Sequence, residues 1–268
     1  MVFLKALMKY SNCTKTLIVQ ARSIFLYLLE EKYMPASVFQ FKKFTIQQER
    51  CAMKVGTDGV LLGAWVTVPK EGKILDIGTG TGLIALMIAQ KTDAFIDAID
   101  IDVSAFEQAS DNVKASPWKE HIKVMHSSLN DFKPGYRYDL IVSNPPYFMD
   151  SFAASDEARN LARSASASLS YEDLLFGVGR LLSNTGKFSA ILPFKEGQFF
   201  RELAEQSGLI CVKLSKIKTG REKPFKRVLM EFSRREENIQ EEELVIHFDN
   251  REFTEEYKKL TSDYYMAF

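Results

Sequence analysis

From residue 73 onward, short apolar runs alternate with segments of helical periodicity, the pattern of a parallel sheet whose strands are separated by covering helices. Residues 73–77 read as a first strand and 83–90, LIALMIAQ, as the helix after it. A second strand covers 95–100, and a helix over about 104–115 follows with Asp102 or Ser104 at its N-cap. Strands three and four are expected at 122–126 and 138–143. Ser170, with Glu172 and Asp173 behind it, makes an approximate capping box for a helix running to about 182. Strand five is expected at 187–192 and another helix near 196–207, with 210–217 and 228–233 as a closing antiparallel pair. The acidic stretch 236–243 reads as a solvated connection. The whole predicts an α/β, Rossmann-like, mostly parallel sheet with helices on both faces.

Two loops carry chemistry. In doubly wound sheets, ligands collect beyond the carboxyl ends of the strands. The turn Asp76-Ile77-Gly78-Thr79-Gly80-Thr81-Gly82 follows strand one, and Asn144-Pro145-Pro146-Tyr147 follows strand four. If those strands are neighbours, both loops face one site. Glycines at 78, 80 and 82 let the backbone bend tightly and approach a ligand closely. Asp100, ending strand two, is placed to accept hydrogen bonds from ribose hydroxyls, or else caps a strand-to-helix turn. The Asn144 side-chain oxygen and the Pro145 carbonyl are two acceptors on a stiff Pro-Pro step, without a competing proline N–H. Such a pair can grip an NH2 group. Tyr147 offers a face for a flat base or amide, or packs as a core aromatic under the loop. Together they point to methyl transfer onto an exocyclic or amide nitrogen.

The 268 residues are 46% hydrophobic, enough for one sizeable core with additions. Lys plus Arg and Asp plus Glu number 35 each, so any nucleic-acid contact must use a local patch. The basic run from 213 to 227 supplies candidates in Lys218, Arg221, Lys223, Lys226 and Arg227, and Arg159 and Arg163 are similar. Its alternative is a solvated charged face. Cys13, Cys51 and Cys211 lie far apart and, with three scattered histidines, form no metal-ligand spacing, which predicts a reduced, cytoplasmic, metal-free protein. The apolar residues 17–29 are interrupted by Gln20 and Arg22, too short and too polar to span a bilayer, and no small-residue cleavage site follows. Residues 1–33 are therefore expected to be an extension to a domain over 34–268, either a loosely attached helix or sequence upstream of a true start at Met34.

The glycine turn departs from the dinucleotide pattern Gly-x-Gly-x-x-Gly. Its third glycine comes one residue early and Leu83 stands in the expected place, which is similar to class I S-adenosylmethionine methyltransferases. Phe39-Gln40-Phe41-Lys42-Lys43-Phe44 and the stretch from Met53-Lys54-Val55-Gly56-Thr57-Asp58-Gly59 to Trp65 resemble the tRNA1(Val) (adenine-37-N6) methyltransferases more narrowly. So do Arg221-Glu222-Lys223-Pro224-Phe225-Lys226-Arg227 and Leu260-Thr261-Ser262-Asp263-Tyr264-Tyr265. The resemblance implies a seven-stranded methyltransferase sheet, S-adenosylmethionine as donor and the adenine beside the valine anticodon as acceptor. It implies that Gly78, Gly80 and Gly82 line the donor's methionine part with Asp76 behind them, and that Asp100 holds the ribose. Thr57 and Asp58 would close over the methionine end. Ser128 and Leu129 fall at the donor's adenine, where the family usually carries an Asp. Asn144, Pro145, Pro146 and Tyr147 become the catalytic loop of a monomeric tRNA-modifying enzyme. The rivals are protein-glutamine methyltransferases acting on release factors, which use the same four residues but usually carry a separate N-terminal helical domain. Ribosomal-RNA or DNA amino-group methyltransferases and a silent RNA-binding module are the others.

Overall fold

The computed structural model describes residues 37–146 and 169–268, so the expectations for residues 1–33, Tyr147, Arg159 and Arg163 lie outside the described residues. A short hairpin, β1 (Val38–Gln40) and β2 (Thr45–Gln47), precedes helix α1 (Thr57–Trp65). The alternation then runs β3 (Lys73–Ile77), α2 (Leu83–Ala89), β4 (Phe95–Asp100), α3 (Val103–Lys114), β5 (Ile122–His126) and β6 (Tyr138–Ser143). It continues with α4 (Tyr171–Leu181), β7 (Leu182–Pro193), α5 (Phe194–Gln206), β8 (Ile210–Gly220), β9 (Phe225–Ser233), β10 (Gln240–His247) and α6 (Glu255–Thr261). The chain divides into two compact units, Met1–Val38 and Phe39–Phe268, and the alternating strands and helices all belong to the second.

Eight strands form one sheet in the order β10-β8-β9-β7-β6-β3-β4-β5. All neighbours are parallel except β9, which runs antiparallel to both β7 and β8. The α/β class and the antiparallel closing pair are as expected. The acidic connection is not: Gln240–His247 is an eighth strand, parallel to β8 at the sheet edge. Its apolar residues explain this, because Leu244 and Ile246 reach the core while Glu241 and Glu243 stay exposed and face Lys216 and Lys218. Charge at one end of the segment masks the strand at the other.

The strands alternate between two cores. Ile74 and Ile96 point into a layer with α1, α2 and α6, while Leu75, Ile77 and Ile99 point into a layer with α4 and α5. Helix α2 is buried at all seven positions, so it shows no polar face to water. Helix α1 packs on it at Gly63, where a Cβ would stand 2.8 Å from Met87 Sδ. Asp102 caps α3 by accepting from Ser104 N and Ala105 N, and Ser170 caps α4 by accepting from Asp173 N. The chain's end is tied to the first hairpin, since Lys42 Nζ donates to the carbonyls of Ser262 and Phe268 and Phe41 stacks on Tyr265.

Candidate active site

β3 and β6 are neighbours in the middle of the sheet, with Ile77 opposite Ser143 in register. Ser143 Oγ donates to the Ile77 carbonyl at 3.0 Å and locks the two strand ends together. The next residues, Gly78 and Asn144, therefore emerge side by side at the carboxyl edge. The glycine turn is held from the adjoining strand: Gly78 N and Thr79 N both donate to the Ile99 carbonyl, and Gly80 N donates to Asp100 Oδ2 at 2.8 Å. Gly78 and Gly80 have φ of +71° and +56°, and among the described residues no atom beyond the chain neighbours lies within 4 Å of where a Cβ would be on either. The turn thus presents bare backbone to open space, the shape a closely approaching donor requires.

Two cavities meet there, sharing Met53, Gly78, Gly80 and Asn144 in their walls. The smaller, about 350 Å³, runs past Asp100, Ile101, Ser128, Leu129 and Asn130 toward Pro145 and Pro146. The larger, about 670 Å³, is walled by Lys54, Thr57 and Asp58 on one side and by Lys226, Arg227 and His247 on the other.

Asp100 accepts from Gly80 N and Asp102 N, as a residue capping the strand-to-helix turn does, and it also lines the smaller cavity. A carboxylate has further lone pairs, so these two bonds orient it without exhausting it. Ser128 donates its hydroxyl proton to Asp131 Oδ2 at 2.6 Å and accepts from Asp131 N. Its hydroxyl proton is spent on Asp131, which leaves it an acceptor's role toward an exocyclic amine. Asp131 does not line the cavity, whereas Asn130 does, a residue sequence reasoning passed over.

Gly82 lines neither cavity. With φ +81° it caps α2, and a Cβ there would meet Ala109 at 3.5 Å. Asp76 also stands back from both, fully buried beneath the turn, where Thr79 Oγ1 donates to it at 2.6 Å. Burial pushes its carboxyl up to about 7, with the Thr79 bond opposing. Cys51, at the smaller cavity, has its thiol raised to about 11 by burial and by Asp100 and Asp102, which keeps it an unreactive wall.

Asn144 is half-buried, with its Nδ2 turned toward Met53 Sδ at 4.0 Å; Pro145 is buried and Pro146 exposed. Thr57 and Asp58 open α1, and Asp58 Oδ2 accepts from Arg227 Nε at 2.8 Å, joining that helix to β9. Of the basic candidates, Lys226 and Arg227 reach the larger cavity. Lys218 lies 3.8 Å from Glu243 and 4.5 Å from the Phe225 ring centre, Arg221 rests over Phe248, and Lys223 is exposed on the turn between β8 and β9. His247 and Phe253 line the larger cavity without any local motif that could have announced them, and Met53, which opens the stretch running to Trp65, lines both cavities. No cluster of three or more metal-ligating side chains occurs among the described residues, and no helix among them is long and apolar enough to cross a membrane.

Residues 52–184 match the family model of the methyltransferase small domain. A tRNA1(Val) (adenine(37)-N6)-methyltransferase of Flavobacterium psychrophilum is 44% identical over 233 residues, 85% of this chain and 99% of that protein. One from Trichodesmium erythraeum, with the same name, is 45% identical over 240 residues, 88% of this chain and all of that one. Among solved structures, a predicted O-methyltransferase, Atu636 from Agrobacterium tumefaciens, superposes with a TM-score of 0.61 at 15% identity. It covers 77% of this chain and 96% of its own, a likeness of fold.

Proposed function

Because the chain belongs to the tRNA1(Val) (adenine(37)-N6)-methyltransferase family, we propose that it transfers a methyl group from S-adenosylmethionine to N6 of adenine 37, beside the anticodon of valine tRNA. The observation that carries this reading is the junction of the two cavities at Gly78, Gly80 and Asn144. It leaves donor and acceptor sharing one opening.

The donor would be held by this chain's own groups. Asp100 accepts from the ribose hydroxyls, Ser128 accepts from the adenine's amine beside Leu129, and the open backbone at Gly78 and Gly80 meets the methionine part. Thr57 and Asp58 close over that end. When bound, S-adenosylmethionine supplies a methyl group on a sulfonium, which leaves without acid assistance.

The protein's task is then positioning, since in-line attack needs the amine at short range and correctly turned. Adenine N6 is a poor nucleophile because its lone pair is delocalised into the ring. Asn144 Oδ1 and the Pro145 carbonyl accept its two N–H bonds, favour a tetrahedral nitrogen and stabilise the positive charge that develops on it. Tyr147, which lies outside the described residues, would supply the ring for stacking on the flipped base. Reaction on tRNA puts the protein in the cytoplasm.

The test is incubation of wild type and Asn144→Ala with S-adenosylmethionine and unmodified valine tRNA, followed by digestion and mass spectrometry for N6-methyladenosine. Product is expected from wild type, with turnover of the variant lower by about 10² to 10³. Variant activity within about threefold of wild type would remove the role assigned to Asn144. Donor binding by wild type without product would overturn the substrate and direct the search to release-factor protein, ribosomal RNA and DNA.

A further inference from the structure

The walls of the larger cavity differ in origin. The glycine turn and residues 53–59 fall inside the segment matched by the methyltransferase small domain, whereas Thr219, Lys226, Arg227, His247, Phe253 and Tyr265 all lie beyond it. Every residue assigned above to the donor is within 52–184, so the outer wall bears on the donor only through the Arg227–Asp58 pair. Yet it opens on the same space as Asn144, and at about 670 Å³ the cavity matches the size of a site for a whole small ligand.

Its chemistry is that of a nucleotide site. Lys54, Lys226 and Arg227 outnumber the one acid in the wall, Asp58, which Arg227 already holds. Lys54 and Lys226 are exposed and form no ion pair among the described residues. The neighbouring lysines of β8 are different, since Lys216 and Lys218 are matched by Glu241 and Glu243 of the eighth strand. Lys54 and Lys226 thus bring unpaired charge to the cavity wall, whereas Arg221 and Lys223 lie outside it. Beside it the His247 and Phe253 rings lie 4.7 Å apart, and Phe253 stacks on Tyr257 at 5.0 Å and 16°. Aromatic faces beside cations are how single-stranded nucleic acid is held, by base stacking and phosphate contact.

We propose that this cavity receives a nucleotide adjacent to the target adenine, its base against the His247–Phe253 pair and its phosphate at Lys226 and Lys54. The wall outside the shared domain is then what selects the RNA. The inference rests on the tRNA-methyltransferase reading and deepens it.

The probe is a fluorescently labelled anticodon stem-loop of valine tRNA, titrated against the full chain in the presence of S-adenosylhomocysteine, with the affinity for S-adenosylhomocysteine measured on the same samples by calorimetry. Thr219→Trp fills the cavity from its half-buried rim, and Lys226→Glu reverses a surface charge without touching the core. Each is expected to weaken RNA binding by about tenfold or more, the worth of one lost stacking or phosphate contact, with S-adenosylhomocysteine affinity within about twofold of wild type. RNA affinity unchanged in both variants, or absent in wild type, would overturn the proposal. Equal loss of RNA and S-adenosylhomocysteine binding would do the same, because it would make the wall part of the donor site. Wild-type N6-methylation of the same stem-loop is scored separately, so RNA binding without product counts against the enzymatic reading and not against the cavity.

Discussion

At Gly78 the backbone has φ +71°, and among the described residues nothing but the chain neighbours comes near the space its missing side chain leaves. Alanine there costs the fold only the left-handed backbone strain, about 1–2 kcal/mol, while its methyl group intrudes where the donor approaches. Gly78→Ala should therefore keep a cooperative melt, shifted down modestly, and lose donor affinity by about tenfold or more in calorimetry. Unchanged affinity would mean that the open face of the turn is not the donor's side. Asp76 tests burial instead. Its folded pKa of about 7 lies above the ordinary 3.8, so folding takes up a proton between those values. Its contribution favours the fold most below 3.8 and is lost as pH rises through 7. Asp76→Asn keeps an acceptor for Thr79 and has no charge to bury. Urea melts should show the variant gaining on wild type steadily as pH goes from about 4 to about 7. Parallel curves would exclude a titrating carboxyl beneath the turn. Residue types marked 76–82 and 144–147 as candidate loops for chemistry. They did not reveal that Gly82 is a helix cap, nor that Ser128 spends its proton on Asp131, because both depend on neighbours the local sequence does not name.

Strand β10 contrasts two kinds of contact. Glu241 and Glu243 meet Lys216 and Lys218 at 3.0 and 3.8 Å, but both acids are exposed, and such pairs contribute about 0–1 kcal/mol. Leu244 and Ile246 are buried in the core shared with α1 and α6. Leu244→Ala should cost about 2–5 kcal/mol in urea unfolding, and Glu241→Gln no more than about 0.5. The reverse order would mean that charge docks the edge strand. This strand escaped sequence reading because an acidic run suggests solvent. Its pairing with β8 is a long-range contact that periodicity over a few residues cannot report. The central strands were legible because burial on both faces demands apolar runs such as Ile74-Leu75 of β3 and Leu140-Ile141-Val142 of β6.

For the whole molecule, 35 basic against 35 acidic residues leave no net field, so RNA must be held by few phosphate contacts. With Lys54 and Lys226 as those contacts, the logarithm of RNA affinity should fall against the logarithm of salt with a slope of about −1.4, far from the −10 of strongly basic binders. A salt titration of the stem-loop checks this, and Lys226→Ala should reduce the slope by about 0.7. A steep slope in wild type would mean that a larger basic surface engages the tRNA. By itself the sequence determined the class of fold and the two loops at strand ends, because each rests on local periodicity or on adjacent residues. Only the tertiary structure decided that Gly78 and Asn144 stand side by side, that Arg227 holds Asp58, and that His247 and Phe253 wall the same cavity as Lys54. Those juxtapositions join residues far apart in the chain through strand order and register, which only the assembled sheet defines.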